Sequence, residues 1–180
     1  MAIKPTIYKV QLEIADSARN CYESLAITLA RHPSETLERL AVRILAFCLK
    51  YQRGLEFTRG LSSTEEPELW RHSDGGVLEQ WIELGQPEPA RLRKACGRCE
   101  DVVLFSYGRS ADTWWRQNSG ELSSMPRLQV WQFDWPQVEA ASQLVSRNTR
   151  LGVNIVGGVL YVDNGEISCE LELSLLLEKA

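Results

Sequence analysis

The sequence predicts a mixed α+β fold, and three observations carry that reading. Apolar and polar residues alternate over 6–15 and again over 21–30, which predicts a long N-terminal β-hairpin turning at "DSARN". Leu37, Leu40, Ala41, Ile44, Leu45 and Cys48 recur at spacings of three and four, which predicts one strong amphipathic helix. The apolar segments "LGVNIV", "VLYV" and "ISCELELSL" are separated by Gly157-Gly158 and Asn164-Gly165, a pattern that predicts a C-terminal antiparallel β-meander.

In the hairpin, Tyr8, Val10, Leu12 and Ile14 point one way, and Lys9, Gln11 and Glu13 the other. The helix "PSETLERLAVRILAFCLKYQ" has Ser34 as its expected N-cap and Glu35 near the positive end of the dipole. Gly54 closes this unit, and "LEFTRG" is a short strand. The segment "SSTEEPELWRHSDGG" supports two readings. Thr64 can start a helix, or "LWRH" can be a strand that turns at "SDGG". "VLEQWIELG" reads as a strand and "EPARLRKACGRCED" as a helix beginning near Pro87 to Pro89. "VVLFSY" is an unbroken apolar run, as in a strand buried on both faces. A helix capped by Ser110, the strand "RLQVWQF" and a helix capped by Asp134 follow. Strand–helix–strand over 77–107 implies a parallel pair with a right-handed crossover. No repeat and no Pro/Gly-rich linker divides the chain, so residues 1–180 are expected to form a single domain.

Composition sets limits on function. The chain has 180 residues, a net charge of −4 and a sequence pI of 5.3, with 44% hydrophobic and 24% charged residues. That is the profile of a soluble globular domain. It argues against a general nucleic-acid coat protein, though a local basic groove stays compatible with it. "MAIKPTIYKVQLEIAD" alternates like a strand and lacks a signal-peptide core. No apolar run approaches the roughly 18–20 residues that cross a bilayer. Five cysteines, an odd number, suggest reduced thiols in a cytoplasmic protein. Cys96 and Cys99 form a lone CxxC, and zinc needs four ligands. His32 and His72 offer no ligand spacing, so the thiols are expected to be structural. There is no nucleophile elbow and no phosphate-binding glycine loop.

The residues that remain are acids and bases. Glu83 shares a strand face with Glu79 and Trp81 near the strand's end, between Ile82 and Leu84. A carboxylate there must be solvated, paired or metal-bound. Glu38 lies beside the apolar stripe of the long helix, on a ridge through Val42 and Leu45. If "SDGG" turns a hairpin near Asp74, Glu68 or Glu66 comes beside Glu83, and two carboxylates on adjacent strands suit Mg²⁺. If 64–71 is helical instead, Asp74 becomes the better second ligand. Glu79 is about 13 Å along the strand from Glu83, too far to share an ion. Arg91, Lys94 and Arg98 share one face of the next helix, and Lys94 could reach back to stabilise charge on a phosphate.

Taken together, "RHPSETLERLAVRILAF", "LEFTRGLSSTEEPELW", "WIELGQPEPARLRKA" and the terminal "GGVLYVDNGE" resemble the YaeQ proteins of bacteria from end to end. The resemblance implies a variant of the PD-(D/E)xK nuclease fold with an α-β-β-β-α-β core. Its parts would be the helix from 34 to 51, strands near 55, 69 and 78, the helix from 89 and the strand from 102. It implies a Mg²⁺ site for phosphodiester hydrolysis in which Glu38 matches the helix acid. Glu68 or Asp74 matches the second acid, and Glu83 the third. Gly85 stands where the motif lysine belongs, and Lys94 is the candidate replacement. Two functions follow as expectations. One is a Mg²⁺-dependent nuclease acting on DNA or RNA, with Glu68, Asp74 and Glu83 as ligands and Glu38 and Lys94 assisting. The other is a catalytically inactive nuclease-fold protein that serves as a binding or regulatory module. The expected state is a cytoplasmic monomer with no membrane segment and, in the enzyme reading, a nucleic-acid partner.

Overall fold

The computed structural model describes residues 3–180; the first two residues of the N-terminal stretch lie outside it. In chain order, the first half holds β1 (Thr6–Asp16), β2 (Cys21–Arg31), α1 (Leu37–Lys50), β3 (Leu55–Phe57), β4 (Leu69–His72) and β5 (Leu78–Leu84). The second half holds α2 (Pro89–Arg98), β6 (Val102–Ser106), α3 (Ala111–Leu122), β7 (Leu128–Phe133), α4 (Trp135–Ser142), β8 (Asn148–Val156), β9 (Val159–Asp163) and β10 (Ser168–Leu177). This is a mixed α+β chain with four α-helices among the described residues. The elements α1-β3-β4-β5-α2-β6 follow one another in the expected order. Among the described residues no helix is long and apolar enough to cross a membrane.

The chain divides into two compact units that interleave along the sequence. The first comprises residues up to Leu49 with Pro136–Leu173, and the second Lys50–Trp135 with Ser174–Ala180. In the first unit β1 pairs antiparallel with β2 along its whole length and parallel with β8. The strands β8, β9 and β10 form the expected meander. Tyr8, Val10, Leu12 and Ile14 are all buried, so the alternation read from the sequence does mark the core face. Ala41, Ile44 and Leu45 of α1 meet Ala141, Val145, Leu151 and Val162, which closes that core.

The start of α1 differs from expectation. Thr36 caps it, its Oγ1 accepting the Arg39 N–H at 3.1 Å. Ser34 instead turns to His32, its Oγ lying 2.6 Å from Nδ1. Glu35 is not a solvated acid near the dipole. It is 3% exposed and holds Arg39 at 2.8 Å and Arg43 at 3.0 Å. Both arginines come from the helix face above it, and they draw the chain in at Glu35 so that the helix begins after it.

In the second unit the strand order is β7-β6-β5-β4-β3. The pairs β3–β4 and β4–β5 are antiparallel, while β5–β6 and β6–β7 are parallel. All five residues of β6 are buried, as an unbroken apolar run requires. Leu92 and Ala95 of α2 and Leu122 of α3 pack with Trp81, Val102, Leu104, Leu128 and Val130. Cys99 lies in this core with Cys96 packed against it, and both thiols are free. The ambiguous segment resolves as the β4 strand. Pairing with both β3 and β5 outweighs the local helix signal at Thr64. Ser110 precedes α3, but its hydroxyl goes to Gln86 Oε1 at 3.0 Å and gives the helix no side-chain cap.

Candidate functional site: a buried acid pair and an arginine

Glu83 is the penultimate residue of β5 and is 4% exposed. Trp81, two residues earlier on the same face, packs into the core beneath α2. Its Nε1 donates to Glu83 Oε1 at 2.9 Å. Arg91, in the first turn of α2, donates from Nε to the same oxygen at 2.9 Å. The other nitrogens of Arg91 are also committed. Nη1 donates to the Thr64 carbonyl at 2.7 Å and Nη2 to the Glu66 carbonyl at 2.9 Å. One guanidinium therefore ties β5, α2 and the loop before β4 together.

Glu68 lies at the same end of the β4–β5 ribbon. Leu69 pairs with Ile82, and the Glu68 N–H donates to the Ile82 carbonyl at 3.0 Å, so Glu68 and Glu83 flank that pair. Glu68 is 7% exposed. Its carboxylate sits against the backbone of Gly60: a Cβ there would stand 3.0 Å from Glu68 Oε2. Gly60 also has φ +53°, so the contact and the backbone both call for glycine. Burial pushes the Glu83 carboxyl above the usual carboxylate range. The Arg91 charge and the two hydrogen bonds pull it back, and the Glu68 charge raises it further.

The other expected residues fall elsewhere. Asp74 is exposed in the turn at the far end of the ribbon, and so does not join Glu68 and Glu83. Lys94 points to Glu65, 3.2 Å away and exposed, rather than to Glu83. Glu38 is half-buried in the first turn of α1 and belongs to the first unit. Glu66 pairs with Arg59 at 3.2 Å, which holds its carboxyl below the usual range, and Glu79 pairs with Arg71. Among the described residues, no group of three or more His, Cys, Asp or Glu is arranged to hold a metal ion. The basic face of α2 is spent on the loop before β4 and on β5: Arg91 on the loop carbonyls, Lys94 on Glu65, and Arg98 over the Trp81 ring at 5.1 Å.

Gly85 follows β5 with φ +92°, and its N–H donates to the Phe105 carbonyl at 2.9 Å. A lysine there would have to adopt the left-handed backbone. The chain path thus disfavours the motif lysine at this position by backbone strain. Arg91, and not the expected Lys94, is the cation that meets Glu83. The distinguishing signal was position: Arg91 is in the first turn of α2, a short loop from Glu83, and Lys94 is a turn further away.

The YaeQ protein family model matches residues 1–173. The chain belongs to the YaeQ family. It is 40% identical to the YaeQ protein of Salmonella typhi, an uncharacterised protein, over 97% of both chains. It is 39% identical to that of Escherichia coli (strain K12), over the same share of each. The crystal structure of YaeQ from Xanthomonas axonopodis pv. citri is similar at a TM-score of 0.92 and 39% identity, covering 96% of this chain and 98% of that one. YaeQ from Pseudomonas syringae gives a TM-score of 0.92 at 33% identity, covering 97% of each chain. In this YaeQ-family chain, two of the four resembling segments build the acid–arginine centre: "LEFTRGLSSTEEPELW" carries Gly60, Thr64, Glu66 and Glu68, and "WIELGQPEPARLRKA" carries Trp81, Glu83 and Arg91.

Proposed function

We propose that this chain is a non-catalytic protein on a PD-(D/E)xK-like scaffold, a binding or regulatory module whose acid–arginine centre holds structure. One observation carries the reading: Arg91 already occupies Glu83, and its remaining nitrogens are fixed on two backbone carbonyls. Mg²⁺ demands several hard oxygen ligands in near-octahedral array. Glu83 Oε1 is spent on two N–H donors, and a guanidinium that close repels a divalent ion. The donor set does not fit a metal as it stands.

A second reading, a Mg²⁺-dependent phosphodiesterase built on Glu68 and Glu83, is favoured by one fact. The two carboxylates are close enough for the charge of one to raise the pKa of the other. That reading requires Arg91 to release Glu83. Calorimetric titration with Mg²⁺ and Mn²⁺, alongside cleavage assays on DNA and RNA, separates the two. The module predicts no saturable heat in the millimolar range and no cleavage above that of Glu83→Gln. Saturable binding and cleavage, both lost in Glu83→Gln, would establish the enzyme instead.

A further inference from the structure

The β2 strand is an uncommonly open sheet edge. It has one strand neighbour, β1, and pairs with it over eleven residues with no register shift. Natural edges of this length are blunted by proline, lysine, bulges or brevity. This one, "CYESLAITLAR", has no proline, lysine or bulge, and Ser24 to Ala30 carry no charge. The shorter edge, β3, has only three residues.

The backbone direction along that edge can be read from β1. The Lys9 N–H donates to Arg147 O at 2.8 Å, toward β8, so the even residues of β1 direct their backbone groups at β2. Val10 pairs with Ile27 and Leu12 with Leu25. The odd residues of β2 therefore bond to β1, and Ser24, Ala26, Thr28 and Ala30 direct their N–H and C=O groups outward, with the Ala30 carbonyl already accepting from Arg43 Nη1 of α1 at 3.3 Å. The side chains of these four are exposed and small, so another strand can approach closely.

We propose that β2 pairs antiparallel with β2 of a second copy of this chain, about a twofold axis at Ile27. The sequence is self-complementary in that register. Ser24 faces Ala30 of the second copy and Ala26 faces Thr28, so the Ala26–Thr28 pairs form the ladder at the centre, and at its ends the Ala30 carbonyl would be shared as acceptor between Ser24 and Arg43. On the other face Ile27 meets its own symmetry mate and Leu25 meets Leu29. The half-buried Leu25 and Ile27 thereby gain apolar cover. At the ends Glu23 faces Arg31, whose Nε and Nη1 donate to the Glu35 carbonyl and the Tyr8 hydroxyl, so the match there is one of opposite charge at both ends of a symmetric strand pair. The charge match sets the axis at Ile27 in preference to Ala26, where Glu23 would face Leu29.

The test uses the full chain in sedimentation velocity over a concentration series, with two variants. Ala26→Pro removes an outward N–H at an edge, where proline is tolerated, and circular dichroism checks that it folds. Ile27→Cys places two thiols across the axis, where antiparallel non-hydrogen-bonded partners lie about 4.5 Å apart at Cα. The expected result is a concentration-dependent dimer, at least tenfold weaker in Ala26→Pro. Ile27→Cys is expected to form a disulfide dimer on mild oxidation, in excess of wild type. A monomer at every concentration would overturn the proposal. So would a dimer unchanged by Ala26→Pro, or no excess cross-linking through residue 27.

Discussion

Glu83 gives the site its pH dependence. Its carboxyl is raised by burial above the ordinary 4.5, so the folded chain holds that proton more tightly than the unfolded chain. The stability this contributes is fully present below 4.5 and is lost as pH rises through the higher folded value. Glu83→Gln removes that slope and can still accept from Trp81 and Arg91. Urea unfolding at about pH 4 and about pH 7 is expected to show the variant gaining on wild type as pH rises. Glu83→Ala leaves Trp81 Nε1 and Arg91 without their shared acceptor and is expected to cost about 2–3 kcal/mol. Gly60→Ala forces an alanine into φ +53° and against the Glu68 carboxylate, for an expected loss of about 1–2 kcal/mol by the same measurement. The closeness of Glu68 to Glu83 was legible because a hairpin register follows from its turn and its apolar alternation. The part played by Arg91 was not, because three basic residues share that helix face and only the chain path of the preceding loop selects among them.

Among the elements, strands and helices were legible wherever their period was long, as in β1, β2, α1 and β6. Their ends were less so. Ser34 and Thr36 are both acceptable N-caps by residue type, with serine the more favoured. What separates them is tertiary: Arg39 and Arg43 draw Glu35 into the interior, which leaves Thr36 in place to receive the Arg39 N–H. Thr36→Ala is therefore expected to lower the urea midpoint by about 1 kcal/mol in stability, while Ser34→Ala changes it little. The segment before β4 shows the same limit. "STEEPE" carries a good helix start, yet β3 and β5 both need a strand from Leu69, and the preceding residues become the loop that Arg91 holds.

On the scale of the whole chain, the division into two units was not legible, because the sequence has no linker to mark it. The second unit takes its last residues from the C-terminal end. Leu176 and Leu177 pack against its core, the Ala180 N–H donates to Pro126 O at 3.1 Å, and Lys179 reaches Asp101 at 3.6 Å. Truncation after Leu173 is expected to cost about 2–3 kcal/mol of apolar burial in that unit, read as a lower urea midpoint. The proposal that the acid–arginine centre is structural, not metal-binding, makes a further demand on the intact protein. A ligand that binds only the native state must raise its stability. The most direct test is the urea midpoint of wild type and Glu83→Gln with and without millimolar Mg²⁺ at matched ionic strength. A structural centre gives no Mg²⁺-dependent shift in either protein. An upward shift in wild type that disappears in Glu83→Gln would contradict it.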